Sequence, residues 1–326
     1  MKKVLAVIGL ILSLLPVRSW AHHGGVSLAF GPGTPIDTNS PFTLPQGGFV
    51  LSGRMEQVEW RKFSFADPTN KDSFTFYNLG ISYGLTPFLT GSVFFPYSIK
   101  RQEELGSNRG VGDISLLFNL GFNYDPSKKR FGLNLPEDTA VPEGSKKTYL
   151  SFMGGFSLPT GKNKMKLGGE VDPGMQPGFA SPTFTMGMAA SREIIGPFSI
   201  TMDTSYQIFT KKDDFKFGNE WRLNLAGVYG FYRKAGTFLS QIDGVLELNL
   251  LQIARDEEGG EGLRATGGTI LYLSPGVRMV FPKLWNASLG LLVKFPVAKD
   301  LNEQSEQQGA EGLEKYRFIA TLSFFF

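Results

Sequence analysis

Two histidines occur in the 326 residues, and they are adjacent, His22 and His23. Imidazole nitrogens bind Cu(II), Ni(II) and Zn(II), so the pair, joined by an α-amine if processing exposes one there, is a candidate metal site. A solvated terminus running into Gly24 and Gly25 is the plainer reading. There is no cysteine. Thiol catalysis, thiolate zinc, iron–sulfur clusters, a disulfide framework and a lipidated cysteine are therefore excluded. A Ser–His–acid triad needs a histidine within the folded body, whereas both histidines precede the first patterned segment. The glycine-rich stretch 155–161 lacks the Gly-Lys-Ser/Thr ending of a phosphate-cradling loop. Enzymatic chemistry is not expected, and no cofactor is implied.

The remaining polar chemistry lies in charges set into apolar runs: Arg54, Glu56, Asp113, Asp203, Glu220, Arg222, Asp243, Glu247, Arg278, Lys294 and Arg317. A buried unpaired charge is costly, so each of these must meet water or a partner. If they pair across an interior they are structural; if they border an open path they set its selectivity. Structural pairing is favoured for any one of them. The signs nearly balance, so strong ion selectivity is not expected.

The elements that carry these charges have period two. Trp285, Ala287, Leu289, Leu291, Val293 and Phe295 alternate with Asn286, Ser288, Gly290, Leu292 and Lys294. Ile114, Leu116, Phe118, Leu120 and Phe122 oppose Asp113, Ser115, Asn119, Gly121 and Asn123, and Leu246, Leu248 and Leu250 oppose Asp243, Glu247 and Asn249. Each is a strand with one apolar and one polar face. About twelve such segments, of the ~10 residues that a tilted membrane-crossing strand needs, run at 48–60, 73–84, 88–100, 111–124, 147–158, 182–192, 197–210, 217–232, 239–254, 264–281, 284–297 and 314–326. Connections mostly alternate between tight turns (85–87, 193–196, 282–283) and long polar loops (101–110, 159–181, 255–263, 298–313).

A closed antiparallel up-and-down transmembrane β-barrel of about twelve strands over 48–326 has this alternation. A soluble sandwich would keep large aromatics off its outer face, but Tyr77, Tyr83, Tyr97, Trp221, Tyr229, Trp285, Phe281 and Tyr316 lie near strand ends, as in an interfacial girdle. The segment 125–146 falls where a short turn is due: either that connection is enlarged, or a further strand lies near 131–135. The 159–181 loop either folds inward as a constriction or remains a mobile external loop, the latter being favoured.

Residues 1–21 read as a cleaved export signal, with Lys2 and Lys3, an apolar run from Val4 to Val17, and Ser19-Trp20-Ala21 at the cleavage site. Removing Lys2, Lys3 and Arg18 from 33 basic side chains leaves 30 against 30 acidic ones, so the net charge of +3 belongs to the signal. No basic stripe remains for nucleic acid. Residues 22–47, with prolines at 32, 35, 41 and 45, read as an irregular segment that either enters the barrel as a short plug or hangs free. At the other end Phe318, Ala320, Leu322 and Phe324 share a face opposite Arg317, Thr321 and Ser323, and the chain stops at Phe326. Phe318, Leu322, Phe324 and Phe326 resemble the assembly signal that insertion machinery reads on bacterial outer-membrane barrels.

Gly84-Leu85-Thr86, Phe95-Pro96-Tyr97, Gly110-Val111-Gly112-Asp113, Leu158-Pro159-Thr160-Gly161, Ser274-Pro275-Gly276 and Phe295-Pro296-Val297 follow in order along the chain. This ordered set resembles the outer-membrane family of MetA-pathway phenol degradation proteins, also called transporters. The resemblance implies a barrel of this size that passes small, often hydrophobic or aromatic molecules. The expectation is therefore a passive or facilitated channel in the outer membrane of a Gram-negative bacterium, in contact with outer-membrane lipid, the barrel-assembly machinery and an unspecified small solute. A non-conducting structural or metal-binding envelope barrel and an outer-membrane enzyme are the alternatives.

Overall fold

A computed structural model describes residues 28, 31, 33–61, 72–103, 106–139, 145–302 and 314–326. The signal segment, His22 and His23 lie outside the described residues. The wall strands in chain order are β1 (Phe49–Trp60), β2 (Asp72–Thr86), β3 (Leu89–Gln102), β4 (Gly106–Val111) and β5 (Ser115–Asp125). A short β6 (Arg130–Leu133) follows, then β7 (Thr148–Ser157), β8 (Thr183–Ile195) and β9 (Phe198–Phe209). After a small β10 (Phe215–Lys216) come β11 (Glu220–Arg233) and β12 (Gln241–Ile253). The short pieces β13 (Glu257–Glu258) and β14 (Glu261–Gly262) precede β15 (Gly268–Phe281), β16 (Ala287–Leu301) and β17 (Glu314–Phe325).

Every ladder is antiparallel between chain neighbours, β1 pairs with β17, and the β3–β5 pairing completes the circuit. Because β4 pairs with the outer half of β3 and β5 with its inner half, the two form a single interrupted wall strand. Twelve strands close the barrel. The β1–β17 and β3–β5 pairings close the ring as a sheet in hydrocarbon requires, and of the wall pieces only β4 lacks a second ladder.

The expected segments match the strands to within a few residues, with two differences. Residues 106–110, expected in a loop, form β4, because β3 runs on to Gln102 and needs a ladder partner there. In the ambiguous 125–146 region, β6 pairs with β5 beyond the end of β3 and adds no thirteenth wall strand. Its Phe131 stacks on Phe122 at 5.5 Å and extends the apolar outer surface.

Alternation assigns the faces. Leu79, Phe95, Phe118, Phe152, Leu225, Leu246, Leu248 and Phe295 are exposed on the outside. Ser82, Asn119, Ser151, Asp203, Glu247 and Arg278 are buried inside. Among the described residues no helix is long and apolar enough to cross a membrane; the strands are the crossing elements.

Candidate functional site in the barrel lumen

The N-terminal segment through residues 33–47 lies inside the barrel, at the end with the short turns. It lacks a ladder of its own, so its buried N–H and C=O groups need other partners. The inward charges supply them. Glu247 accepts from the amides of Ile36 (2.7 Å), Asp37 (3.0 Å) and Thr38 (2.8 Å) and from the Thr38 hydroxyl (2.6 Å). Asp243 accepts from the Gly33 amide at 3.0 Å, and Asp203 from the Asn39 amide at 2.8 Å and Asn224 Nδ2 at 3.0 Å. Arg278 donates from Nε to the Thr34 carbonyl at 3.0 Å and from Nη2 to that of Pro35.

Packing reinforces these bonds. Ile36 is fully buried among Val228, Val245, Leu292 and Ile319. Two glycines make room for it: a Cβ on Gly276 would sit 2.9 Å from Ile36 Cδ1, and one on Gly290 would sit 3.1 Å from its Cγ1. Nearer the turns, Leu44 donates to Thr90 Oγ1 at 2.8 Å and Gly47 to the Gly84 carbonyl at 2.8 Å.

At mid-height the segment meets an alternating row of charges. Lys294 bonds Asp37; Asp37 meets Arg54 Nη2 at 2.7 Å; Arg54 Nη2 meets Glu56 at 3.0 Å; Glu56 meets Arg317 Nη1 at 3.0 Å; and Arg317 meets Glu314 at 2.7 Å. Three cations and three anions alternate, so the row is internally neutral. The Tyr272 hydroxyl donates to Glu314 at 3.2 Å, and its ring carries Lys294 Nζ at 4.8 Å from the centroid. Glu220 and Arg222 form a separate pair nearer the long loops.

The 158–182 loop closes much of the other end. Contrary to the external, mobile loop that was favoured, it turns inward: Met175 is fully buried against Val58, Trp60, Phe74 and Phe76. Buried Lys100 donates to the Gly174 carbonyl at 2.7 Å and lies over the Phe74 ring at 5.7 Å. The apolar lining inside this half of the barrel draws the loop in, since outside it Met175 would have no apolar surface to cover.

Asp113 serves a different purpose from the other charges. It accepts from the Gly161 amide at 2.7 Å and the Phe179 amide at 2.6 Å, tying both ends of the loop to the break between β4 and β5. Here Gly110-Val111-Gly112-Asp113 and Pro159-Thr160-Gly161 meet. A Cβ on Gly161 would lie 2.8 Å from Gly178 Cα, so only glycine lets these backbones touch. On the side of β4 away from β3, Lys162 donates to the Val111 carbonyl at 3.0 Å, while β7 ends at Ser157. The wall there is a loop seam rather than a full ladder.

Between the N-terminal segment and the loop is a cavity of about 180 Å³. Asp37, Asn39, Arg54 and Glu56 line its floor region, with Phe76, Phe94, Pro96 and Phe179 among its apolar residues. Of the eleven charges singled out in the sequence, all but Asp113 project inward from strands, and four of them hold the N-terminal backbone. Sequence reasoning missed Asp37, Asn39, Lys100, Tyr272 and Glu314. A signal existed for the first two: Thr34, Ile36 and Thr38 are strand-forming types set among prolines, unusual for a solvated tail. Among the described residues no group of three or more His, Asp or Glu side chains is placed to hold a metal.

The closed twelve-stranded wall, apolar outside and polar within, with its lumen filled by the N-terminal segment on one side and an inturned loop on the other, places the chain in the class of transmembrane-type β-barrels. Residues 32–300 match the family described as "Putative MetA-pathway of phenol degradation", and the chain belongs to that family. Among solved structures it is similar to the COG4313 outer membrane channel from Pseudomonas putida F1, at 13% identity and TM-score 0.65 over 89% of this chain and 100% of that one. Weaker similarities are to the beta domain of the Bordetella autotransporter BrkA (10% identity, TM-score 0.45, 86% and 100% covered) and to the CymD monoaromatic hydrocarbon channel (9%, TM-score 0.37, 86% and 88%). No curated protein matches the sequence significantly.

Proposed function

We propose that this protein is an outer-membrane channel for passive passage of small molecules with an apolar or aromatic body. The export signal ends at Ala21, the short turns face the periplasm and the long loops face outward. Phe318, Leu322, Phe324 and Phe326 present the outward face that the assembly machinery reads.

The observation that carries this reading is the divided lumen. A general porin offers a continuous aqueous path, whereas here a cavity of mixed lining, with Phe76, Phe94 and Phe179 among its polar residues, lies between the inturned loop and residues 33–47, which close the lumen beneath it. A solute lodges against Phe76, Phe94 and Phe179, and passage requires the N-terminal plug to shift. The eleven charges are plug holders, loop ties and internal pairs, so the path lacks a field of one sign. Nothing in this scheme is catalytic.

Uptake of labelled p-xylene and of a pentose by Gram-negative cells with and without the protein tests the proposal. Expression should raise p-xylene uptake several-fold and leave pentose uptake unchanged. No increase from correctly assembled protein would support a non-conducting envelope barrel instead. An equal increase for the pentose would refute apolar selectivity.

A further inference from the structure

The lumen holds a second cavity of about 40 Å³ at the short-turn end, bounded by Gly33 and Phe42 of the N-terminal segment and by the β8–β9 turn at Gly196 and Pro197. It lies below the first along three wall strands. On β7 Met153 lines the upper cavity and Tyr149 the lower; on β8 the corresponding residues are Thr185 and Ser191, and on β9 Ser205 and Ser199. The members of each pair share the inward face, so one inward position on β7 and two on β8 and β9 separate the cavities, ~7 Å of strand for each position. The intervening side chains are Ser151, Gly187, Ala189 and Thr201, too short to cross the lumen, and Asp203, whose carboxylate holds Asn39 and Asn224.

What divides the cavities is Leu28. Residues 33–36 are fastened toward β12 and β15 by Asp243, Glu247 and Arg278. Leu28 packs instead with Phe94 of β3, Met153 of β7 and Ala189 of β8, in the gap between the two spaces, and all four side chains are buried. Water in a septum of four apolar side chains finds no polar partner, so the septum stays dry. A dry constriction resists hydrated ions and sugars, whereas an apolar body replaces one apolar contact with another. The stopper is also lightly held. Among the described residues its backbone has one hydrogen bond, from the Leu28 amide to Asn39 Oδ1 at 2.9 Å, while residues 36–38 make four to Glu247. Asn39 donates from its amide and Nδ2 to Asp203 at 2.8 and 3.2 Å, so loosening of the chain next to Asn39 also reaches Leu28.

We infer that the solute path descends along β7, β8 and β9 from one cavity to the other, and that Leu28, with Phe94, Met153 and Ala189, forms the apolar septum that sets its selectivity. This rests on the channel reading and locates its selective step. Displacement of one side chain joins the cavities, and the ion pairs at mid-height stay intact.

The test uses the mature full-length protein with Leu28→Asn, which keeps the size of the side chain and wets the septum, and with Leu28→Trp, which enlarges the stopper. Position 28 is outside the wall, so variants are compared at equal amounts of heat-modifiable barrel. Leu28→Asn should raise planar-bilayer conductance in KCl and pentose uptake by the cells described above several-fold. Leu28→Trp should lower p-xylene uptake several-fold. Because the chain has no cysteine, Ser199→Cys reports on the lower cavity alone. In the Leu28→Asn background, its complete modification by a bulky methanethiosulfonate, read by mass, should abolish the added conductance. Wild-type p-xylene uptake together with unchanged conductance and pentose uptake in Leu28→Asn, or with unchanged p-xylene uptake in Leu28→Trp, would overturn the septum while the channel reading stands. Added conductance that survives modification at position 199 would overturn the path. If neither the wild type nor any variant passes a probe, the channel reading falls and this inference with it.

Discussion

Glu247→Gln is the sharpest probe of how the lumen is closed. The carboxylate is fully buried and every contact it makes to the N-terminal segment is as an acceptor, from three successive amides and the Thr38 hydroxyl. Gln keeps the shape and converts one oxygen to NH2. With the amide oxygen left toward Ile36 and Asp37, the new NH2 confronts the Thr38 amide. Two charge-assisted bonds, from the Thr38 amide and the Thr38 hydroxyl, are lost at about 2 kcal/mol each, and the two that remain lose charge assistance, about 1 kcal/mol each. The Thr38 hydroxyl can turn to accept from the NH2, recovering about 1 kcal/mol. Net weakening of about 5 kcal/mol shifts the docking equilibrium of the segment by roughly three orders of magnitude or more. Hydrogen exchange at the amides of Ile36, Asp37 and Thr38 should accelerate by that order, and planar-bilayer recordings should show more frequent openings. Exchange within about threefold of the wild type, with unchanged openings, would show that Glu247 does not hold the plug.

Asp113→Ala removes the acceptor of both loop ties, and proteolysis within 158–182 should become at least several-fold faster while barrel heat stability falls by only about 1–3 kcal/mol; a loop still protected would refute the tie. On the short-turn side, Lys147 bonds buried Asp138 at 2.5 Å. That hydrogen bond holds the Lys147 ammonium above its ordinary value of 10.5. A raised folded-state pKa means that its stabilisation is complete below 10.5 and is lost as pH rises through the higher folded value. Protection of the 134–139 amides, taken relative to the intrinsic base-catalysed rate, should therefore fall above about pH 10.5 in the wild type and show no such fall in Lys147→Met; identical alkaline protection profiles would contradict this. Deleting Phe326 should lower the amount of protein in the outer membrane several-fold, read from heat-modifiable mobility in membrane fractions; normal amounts would remove it from the assembly signal.

Much of the wall was legible because a strand between lipid and lumen writes its environment into alternate residues. The run from Leu246 to Leu250 shows its outward face without any knowledge of its neighbours, and all twelve wall strands were located in this way. β4 escaped because Ser107, Asn108 and Arg109 have no apolar alternation; they are a strand only because β3 extends beside them. The inward charges were identifiable as residues that need partners, yet their partners were not. Glu247 could have met water, an arginine across the barrel or a backbone, and these alternatives look the same along one strand.

The glycines show the same division. Along the chain Gly276 and Gly290 are only small residues within period-two segments, but in the fold they leave space for Ile36, some 240–250 positions earlier in the chain. Likewise Gly110-Val111-Gly112-Asp113 and Pro159-Thr160-Gly161 stand nearly 50 positions apart as separate motifs, and in the fold they meet at one carboxylate. The order of residues alone established a closed barrel, its lipid face and its family resemblance, because those depend on period-two patterning, which is local. What closes the lumen and what pins the loop were decided only by tertiary structure. Those features depend on contacts between residues far apart in the chain, and periodicity carries no information about such distances.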